Sequence, residues 1–398
     1  MLRHAVRRRL KPVILGLLLL TIWTFTSISL SSDCVTSLQH DYDVNERADD
    51  GGAQVSKPDA VAAPKREHRI VLYTSYRSGS SFFGEIFRQN REAFYLFEPL
   101  KVLSLQRNDE AKRALLTRPA QYLADGFNCD FHPLFEDAHA FFPDQRKLLS
   151  SWTRRIFEQQ IERHQIRTPT LEVLEAMCRQ YNIKVQKIIR GRKLSAVTPL
   201  MVNNVSDVIV LIRDPRAVAV SRLELESIRP KQEVMTEKEK QTYLMSAAKE
   251  CCDKYGDVVN FFKQEPRDGA LYRSVSHRLS IVRFEDIALN PIDIATKVYT
   301  RLGIQMPDTV TTWLTNATRG SDQAAGFETK YLTQRDSRAV TDKWRRKLPL
   351  ATVVEMQRLC PETYHYLGYK LVSSESELLS QTETVLTDPD FGLDLLIS

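Results

Sequence analysis

The loop at residues 76–81 contains the residue types that bind a phosphate or sulfate group. Its sequence, YRSGSS, connects a candidate strand at 70–74 to a segment with helical spacing at 82–90. The N-terminus of a helix offers free backbone N–H groups and a positive dipole end, so it attracts an anion. Gly79 permits a tight turn, the serines add hydroxyl donors, and Arg77 supplies a permanent cation. The loop therefore predicts an anion site, and an ordinary capped helix after a strand is the alternative.

A second junction of the same kind lies at residues 207–222, DVIVLIRDPRAVAVSR. The continuous apolar run VIVLI is typical of a buried parallel strand, and Asp214 and Pro215 are suited to the start of a helix. Ser221 follows Asp214 by seven positions, about two helical turns, so it can share a face with the helix start. Ligands of open α/β sheets lie beyond the carboxyl ends of the strands, so two such junctions suit a ligand with two separated anionic groups. For Arg213 and Asp214 alone, a structural ion pair is the alternative.

The elements that must position these loops are short strands separated by helices. The composition, 42% hydrophobic and 27% charged, is typical of a folded globular protein and excludes a collagen-like, disordered or multi-span membrane chain. The alternation from about residue 69 to 368 predicts a doubly wound α/β domain, with a central, mainly parallel sheet flanked by helices. Residues 279–284 are a further strand candidate, and 185–189, VQKII, are a weaker one because two polar residues interrupt the run. Further helices are expected at 170–181, 290–302 and 350–360.

The N-terminal residues carry most of the net charge. The chain of 398 residues has a formal net charge of +6, and five of these charges lie in the first eleven residues. The uncharged run at 12–32 is long enough to cross a hydrocarbon core of about 30 Å as a helix. This pattern predicts a cytosolic tail at 1–11, a transmembrane signal-anchor at 12–32 and a flexible stem at 33–67, and a cleaved signal peptide is the alternative. The remaining body is close to neutral, which gives no reason to expect a nucleic-acid partner.

Cysteines and sequons agree with a body in the secretory pathway. The cysteines have no CxxC spacing and no metal-ligand cluster is visible in the sequence, so neither a metal nor a redox motif is predicted. They are Cys34, Cys129, Cys178, Cys251, Cys252 and Cys360. In an oxidising lumen some should pair, and since Cys251 and Cys252 are adjacent on a helix, one is expected to stay free. Asn204 and Asn316 begin sequons for N-glycosylation.

Three motifs together resemble the Golgi carbohydrate sulfotransferases: RSGSS after a strand, LIRDPRAVAVSR after a later strand, and VRFEDIALNP at 282–291. The stretches FYLFEPL, TNATRG, DKWRRKL and LGYKLVSSESEL resemble the galactose, N-acetylglucosamine and N-acetylgalactosamine 6-O-sulfotransferases of this family. The C-terminal stretches are most similar to those of the keratan sulfate galactose 6-O-sulfotransferase, followed by the chondroitin 6-O-sulfotransferase. The resemblance implies a P-loop-like sulfotransferase domain at 68–371. The stretch at 372–398 is polar with scattered leucines, which predicts a C-terminal surface tail.

The same resemblance implies a reaction. A sulfuryl group would move from 3′-phosphoadenosine 5′-phosphosulfate (PAPS) to the 6-hydroxyl of galactose or N-acetylhexosamine residues in glycans such as keratan or chondroitin sulfate. The chain would be a Golgi type II membrane protein acting on a glycan or proteoglycan. Cys34, just outside the predicted anchor, could link two chains into a homodimer or carry a lipid. A luminal kinase is one alternative, although the Walker lysine is missing and Arg77 would take its part. A non-catalytic, membrane-anchored glycan-binding protein is another, although it would not need both motifs.

The resemblance also implies the donor site. The first motif is similar to the family's site for the 5′-phosphosulfate of PAPS, and the second is similar to its 3′-phosphate site. The donor-binding residues would be Arg77, Ser78, Gly79, Ser80, Ser81, Phe82, Arg213 and Ser221, with Trp344 and Arg345 enclosing the nucleotide. For Trp344, a place in the core is the alternative. Arg77 would also be catalytic, because it neutralises charge on the leaving phosphate.

Glu98 is the predicted catalytic base. It follows the apolar run at 93–97, so it lies at an expected strand end near the first loop, and it matches the FEP segment of the family. A capping or ion-paired carboxylate is the alternative. His132 and His139 are alternative bases, but the aromatic stretch around them favours a packing role.

Overall fold

Parallel strands form the central sheet of the structure, a computed structural model that describes residues 66–104, 118–141, 146–189, 193–194, 197–202, 206–227, 234–264, 273, 275–318, 340–380, 382–390 and 396–397. The strands are β1 His68–Thr74, β2 Ala93–Phe97, β3 Ile183–Ile188, β4 Asp207–Ile212 and β5 Leu279–Arg283. Their order is β2-β3-β1-β4-β5, and every neighbouring pair is parallel. This arrangement confirms the predicted α/β fold with a parallel sheet.

The order in which the strands are added to the sheet reverses at β1. Strands β3 and β2 lie on one side of β1, and β4 and β5 lie on the other. Thr74 at the end of β1 is in register with Leu211 near the end of β4, so the loops after these strands leave the sheet side by side. Ligand sites of open α/β sheets form at such switch points, beyond the carboxyl ends of the strands.

Helices cover both faces of the sheet. In chain order they are α1 Ser80–Arg88, α2 Pro119–Phe127, α3 His132–Phe141, α4 Arg146–Ile156, α5 Glu158–Arg163, α6 Leu171–Cys178, α7 Thr198–Val202, α8 Pro215–Glu226, α9 Glu237–Gln264, α10 Phe284–Leu289, α11 Pro291–Leu302, α12 Asp308–Thr318, α13 Leu350–Arg358, α14 Pro361–Tyr366 and α15 Glu375–Leu379. Ile70 and Leu72 of β1 pack in one apolar cluster with α1, α11 and α12. Val71 and Tyr73 pack in a second cluster with α2, α3 and α9. Because both faces are buried, β1, β2 and β4 contain continuous apolar runs in the sequence.

The polar interruption in the weaker strand candidate does not break β3. Gln186 and Lys187 are each 1% exposed. The amide nitrogen of Gln186 donates to the carbonyl of Leu123 in α2 at 2.7 Å. Lys187 points to the opposite face, where Ile183 and Val185 belong to the apolar cluster that contains α1.

Residues 372–398 differ from the surface tail that the sequence predicts. Val372 and Leu378 are buried in a third apolar cluster, which also contains residues of α8, α9 and α13. Leu396 pairs with Ile281 of β5, and the N–H of Ile397 donates to the carbonyl of Ile281 at 2.9 Å. These apolar residues fill separate places in the core, so no helical or strand period in the sequence reveals their burial.

Two disulfides join described residues, Cys129–Cys178 and Cys252–Cys360. Cys251 is buried and free, as expected for one member of the adjacent pair. Within the ranges that the structure describes, no helix is both long enough and apolar enough to cross a membrane. The predicted tail, the anchor and the stem up to residue 65, together with Cys34 and Asn204, lie outside those ranges.

Candidate active site

A cleft of about 1640 Å³ lies beyond the carboxyl ends of the strands and contains most of the predicted site residues. The predicted residues that line it are Arg77, Gly79, Ser80, Ser81, Phe82, Glu98, Arg213, Ser221 and Trp344. They come from the loops after β1, β2 and β4, from the helices α1 and α8 that follow β1 and β4, and from the one-turn helix Lys343–Arg346. The topology of the sheet therefore brings together side chains that are far apart in the sequence.

The loop after β1 has a tightly curved backbone. Arg77 has φ 65° and Gly79 has φ 87°, so both lie in the left-handed region. A Cβ atom on Gly79 would lie 2.1 Å from Cδ2 of Phe284, which leaves no room for a side chain. Ser78 is fully buried, and its hydroxyl donates to the carbonyl of Ser75 at 2.7 Å. Ser78 thus shapes the loop, whereas α1 begins at Ser80 and turns its N-terminus toward the cleft.

The two predicted junctions contact each other directly. Nε of Arg77 donates to the hydroxyl of Ser221 on α8 at 3.1 Å. In return, Nη1 of Arg213 donates to the carbonyl of Arg77 at 3.1 Å, and Nε of Arg222 donates to the carbonyl of Tyr76 at 3.1 Å. Arg213 at the end of β4 and residues in the middle of α8 therefore hold the first loop in place.

Arg213 is mainly a support of that loop in this structure. It is 5% exposed, its second Nη donates to the carbonyl of Val340 at 3.1 Å, and its guanidinium lies 4.4 Å from the centroid of the Phe284 ring. Burial lowers the pKa of Arg213. Both of these bonds run to uncharged carbonyls, so its positive charge is available to the cleft that it lines.

Three buried N–H groups around the cleft fit an anionic nucleotide. Nε of Arg213, Nη2 of Arg222 and the indole Nε1 of Trp344 have no hydrogen-bond partner in the described part of the chain. All three residues line the cleft. Buried donors are normally satisfied, so their concentration here matches a ligand that supplies acceptor oxygens.

Trp344 and Arg345 lie in the same one-turn helix but point to different surroundings. Trp344 is 1% exposed, lines the cleft, and packs against the guanidinium of Arg216 at 4.2 Å from the ring centroid. The guanidinium of Arg345 instead donates to the carbonyls of Glu377, Leu378 and Glu383. Arg345 therefore anchors the C-terminal segment and, among the described residues, is outside the lining of the cleft.

Glu98 is at the end of β2 and faces the same cleft. Its φ of 54° is in the left-handed region, a conformation that costs of the order of 1 kcal/mol or more and persists only where the surroundings enforce it. Its side chain is buried, and Oε1 lies 3.4 Å from Nζ of Lys187. Glu98 therefore lies at the end of a strand, as predicted for the base, and it is also ion-paired, as in the alternative interpretation.

The two histidines lie elsewhere. His132 begins α3, and its ring nitrogens lie 3.6 Å from the carboxylate of Glu136 and 3.8 Å from that of Glu172. His139 is exposed in the last turn of the same helix. Of the residues described as lining the cleft, neither is one, so Glu98 is the better placed base.

Lys254 on α9 is a cleft residue that the sequence does not reveal. Its Nζ donates to the carbonyl of Ile189 at 3.1 Å and to that of Thr74, at the ends of β3 and β1. Burial lowers the pKa of Lys254 to about 7. In the sequence it looks like Lys249, which is exposed and pairs with Asp253 on the same helix, so only the fold distinguishes the two lysines.

Glu285, in the first turn of α10 directly after β5, supports the second junction. Its carboxylate accepts from the backbone N–H of Asp214 at 3.0 Å and from the hydroxyl of Tyr369 at 2.9 Å. Burial, reinforced by the neighbouring Asp214, raises the pKa of Glu285 to about 7. The ionised form is therefore the unfavourable one in the folded protein.

The stability of the protein should depend on pH through this group. Since the folded pKa is above that of the unfolded chain, the protonated carboxyl stabilises fully below about pH 4.5, and this contribution is lost as pH rises through about 7. Glutamine cannot ionise. We therefore expect the free energy of unfolding of Glu285→Gln to rise, relative to that of the wild type, by up to about 3 kcal/mol between pH 5 and 8. The measurement is the thermal unfolding of both proteins across this pH range. All other titratable groups are the same in the two proteins, so the difference between them reports Glu285. A difference in unfolding temperature between the two proteins that stays constant from pH 5 to 8 would contradict the prediction.

Comparison with known proteins assigns the chain to a family. The profile of the sulfotransferase domain family matches residues 67–368, and the chain belongs to this family. Mouse carbohydrate sulfotransferase 5 is 26% identical over 358 residues, which cover 84% of this chain and 86% of the relative. Human carbohydrate sulfotransferase 1 is 28% identical, and the alignment covers 82% of this chain and 85% of the relative. Human carbohydrate sulfotransferase 3 is also 28% identical, and the alignment covers 83% of this chain and 72% of the relative. The resemblance to carbohydrate sulfotransferases is thereby confirmed, and the chain is a sulfotransferase.

Proposed function

We propose that the protein transfers a sulfuryl group from PAPS to the 6-hydroxyl of a galactose or N-acetylhexosamine residue in a glycan. The observation that carries this proposal is the bond from Arg77 to Ser221, which joins two anion-binding junctions in one cleft. A donor with a 5′-phosphosulfate and a 3′-phosphate has the two separated charges that this arrangement suits. The names of the relatives, carbohydrate sulfotransferases, support a sugar acceptor.

The residues of the cleft divide the chemistry among them. Arg77 and the N-terminus of α1 neutralise the leaving 5′-phosphate, where negative charge grows in the transition state. Arg213 and Ser221 hold the 3′-phosphate, and Trp344 encloses the nucleotide. Glu98 accepts the proton of the acceptor hydroxyl as the new O–S bond forms and the old S–O bond breaks, and the electron pair of that bond leaves with the phosphate.

The setting of the enzyme is also part of the proposal. A cytosolic tail, a signal-anchor and a stem would hold the body in the Golgi lumen as a type II membrane protein, where disulfides persist. Asn316 is exposed on α12 and accessible to glycosylation, and the other sequon, at Asn204, is proposed to be used as well. A homodimer through Cys34 completes the proposal.

The test is transfer of radiolabelled sulfate from PAPS by the full chain in detergent. The acceptors are keratan, desulfated keratan, chondroitin and short N-acetyllactosamine glycans, and the labelled position is mapped on the product. We expect label at the 6-position and thermal stabilisation by 3′-phosphoadenosine 5′-phosphate (PAP). Stabilisation by ATP with Mg²⁺ in place of PAP would favour the kinase. Glycan binding with neither transfer nor PAP stabilisation would favour the non-catalytic binding protein.

A further inference from the structure

Lys187 is a charged residue in a place that the fold otherwise fills with apolar side chains. It is 1% exposed in β3, and Ile183 and Val185, which precede it on the same face of the strand, belong to the apolar cluster around α1. Burying an ammonium group is costly unless it is paired. A methionine or leucine would fill this position without that cost, so the surroundings of the lysine should show what it does there.

Those surroundings centre on the candidate base. Nζ of Lys187 lies 3.4 Å from Oε1 of Glu98 and 4.0 Å from the centroid of the Phe97 ring. The guanidinium of Arg155, from α4, lies 5.0 Å from the centroid of the same ring. Glu85 of α1 is the other carboxylate whose charge acts on Lys187, and it is already bound to Arg88 and Gln89 of its own helix. Glu98 is therefore the partner that Lys187 contacts directly.

Glu98 needs such a partner. Its side chain is 8% exposed and its backbone is held at φ 54°, so both its charge and its direction depend on neighbouring groups. A buried carboxylate without a countercharge becomes protonated, and a protonated carboxyl cannot accept a proton. Of the described residues that line the cleft, Glu98 is one and Lys187 is not. Lys187 thus lies behind the base and can act on the acceptor only through it.

We propose that Lys187 is a positioning residue that keeps Glu98 ionised and aims its carboxylate at the acceptor hydroxyl. This inference rests on the proposed role of Glu98 as the base. In the transfer step Glu98 takes the proton of the hydroxyl, while Lys187 keeps its own proton throughout. Before the step, the positive charge of Lys187 balances the negative charge of Glu98. Glu98 loses that negative charge when it takes the proton.

The titration of Lys187 is compatible with this role near neutral pH. Burial lowers the pKa of Lys187 to about 8, with the charge of Arg155 acting in the same direction, and the carboxylates of Glu98 and Glu85 oppose the shift. The group is thus mostly cationic at pH 7 and below, where a countercharge for Glu98 is needed.

The test compares Lys187→Met with Lys187→Arg and with Lys184→Met. Lys184 is a second buried lysine of β3 that points to the other face and binds Glu67 and the carbonyl of Phe127, so it is a matched control. We expect Lys187→Met to move the acid limb of the pH–kcat profile up by about one pH unit, which lowers kcat by up to about tenfold on that limb and changes it little above the limb. The KM for PAPS should stay within about twofold. Lys187→Arg should restore the limb, and Lys184→Met should leave it in place.

The outcomes separate this inference from the proposed function. If Glu98→Gln retains wild-type kcat, the base is wrong and the role of Lys187 falls with it. If Glu98→Gln is inactive but Lys187→Met loses the same factor at every pH, Lys187 is only structural and the inference is overturned while the base stands. If Lys187→Met does not fold, Lys187→Gln replaces it. If neither folds, the profile of Lys187→Arg decides: it must keep the wild-type acid limb, and a displaced limb overturns the inference.

Discussion

Glu98→Gln should lower kcat by about 10²- to 10⁴-fold while the KM for PAPS changes little. The substitution keeps the size and the hydrogen-bonding reach of the side chain and removes its negative charge and its ability to take a proton. Glu98 lines the cleft from the end of β2 and belongs to a different segment from the loops after β1 and β4 that would hold the donor. Loss of the carboxylate should therefore affect the chemical step much more than donor binding. Initial rates at saturating PAPS and acceptor, together with PAP binding by calorimetry, measure the two effects separately.

The stability of the variant must be measured beside its activity. Glutamine leaves the ammonium of Lys187 without its countercharge, so the variant should also unfold at a lower temperature. Glu136→Gln is the matched control, because Glu136 is an exposed carboxylate that contacts His132 far from the cleft lining. A folded Glu98→Gln protein with more than about a tenth of wild-type kcat would contradict a role as base.

The parts of the molecule that the sequence predicts are those with short-range signals. VIVLI predicts β4 because strands buried on both faces are continuously apolar, and Asp214 with Pro215 marks the start of α8. The loop YRSGSS predicts the N-terminus of α1 for the same kind of local reason. The position of Glu98 beside these loops follows from a strand end plus the rule that ligands bind beyond the carboxyl ends of parallel strands.

The parts that the sequence does not predict depend on contacts between distant residues. Arg345 and Trp344 are neighbours in the chain, yet one anchors the C-terminal carbonyls and the other lines the cleft, because the C-terminal segment returns to the core. The two polar residues that weaken the prediction of β3 include Lys187, whose partner Glu98 belongs to another strand. The burial of Lys254 likewise depends on where α9 crosses the ends of β1 and β3. None of these has a periodicity that could be seen locally.

Replacing Arg77 with alanine should remove most of the sulfotransferase activity, with a fall of about 10²- to 10³-fold in kcat/KM for PAPS. Arg77 brings a permanent positive charge to the N-terminus of α1, where the leaving phosphate is proposed to lie. Alanine takes the left-handed conformation at φ 65° with no greater strain than arginine does, so the loop should keep its shape. The measurement is initial rate against PAPS concentration, with thermal unfolding as the check on folding.

Ser221→Ala separates the charge of Arg77 from its orientation. This variant keeps the guanidinium and removes the hydroxyl that fixes it at 3.1 Å and that is also proposed to bind the 3′-phosphate, so we expect a smaller loss, about tenfold. Because the two residues act through one contact, the double variant Arg77→Ala with Ser221→Ala should be only slightly worse than Arg77→Ala alone. Fully additive losses would mean that the two junctions bind their anions independently. The contact between them would then stabilise the loop without coupling the 5′ and 3′ halves of the donor site. The bond from Arg77 to Ser221 would in that case no longer support the proposed function.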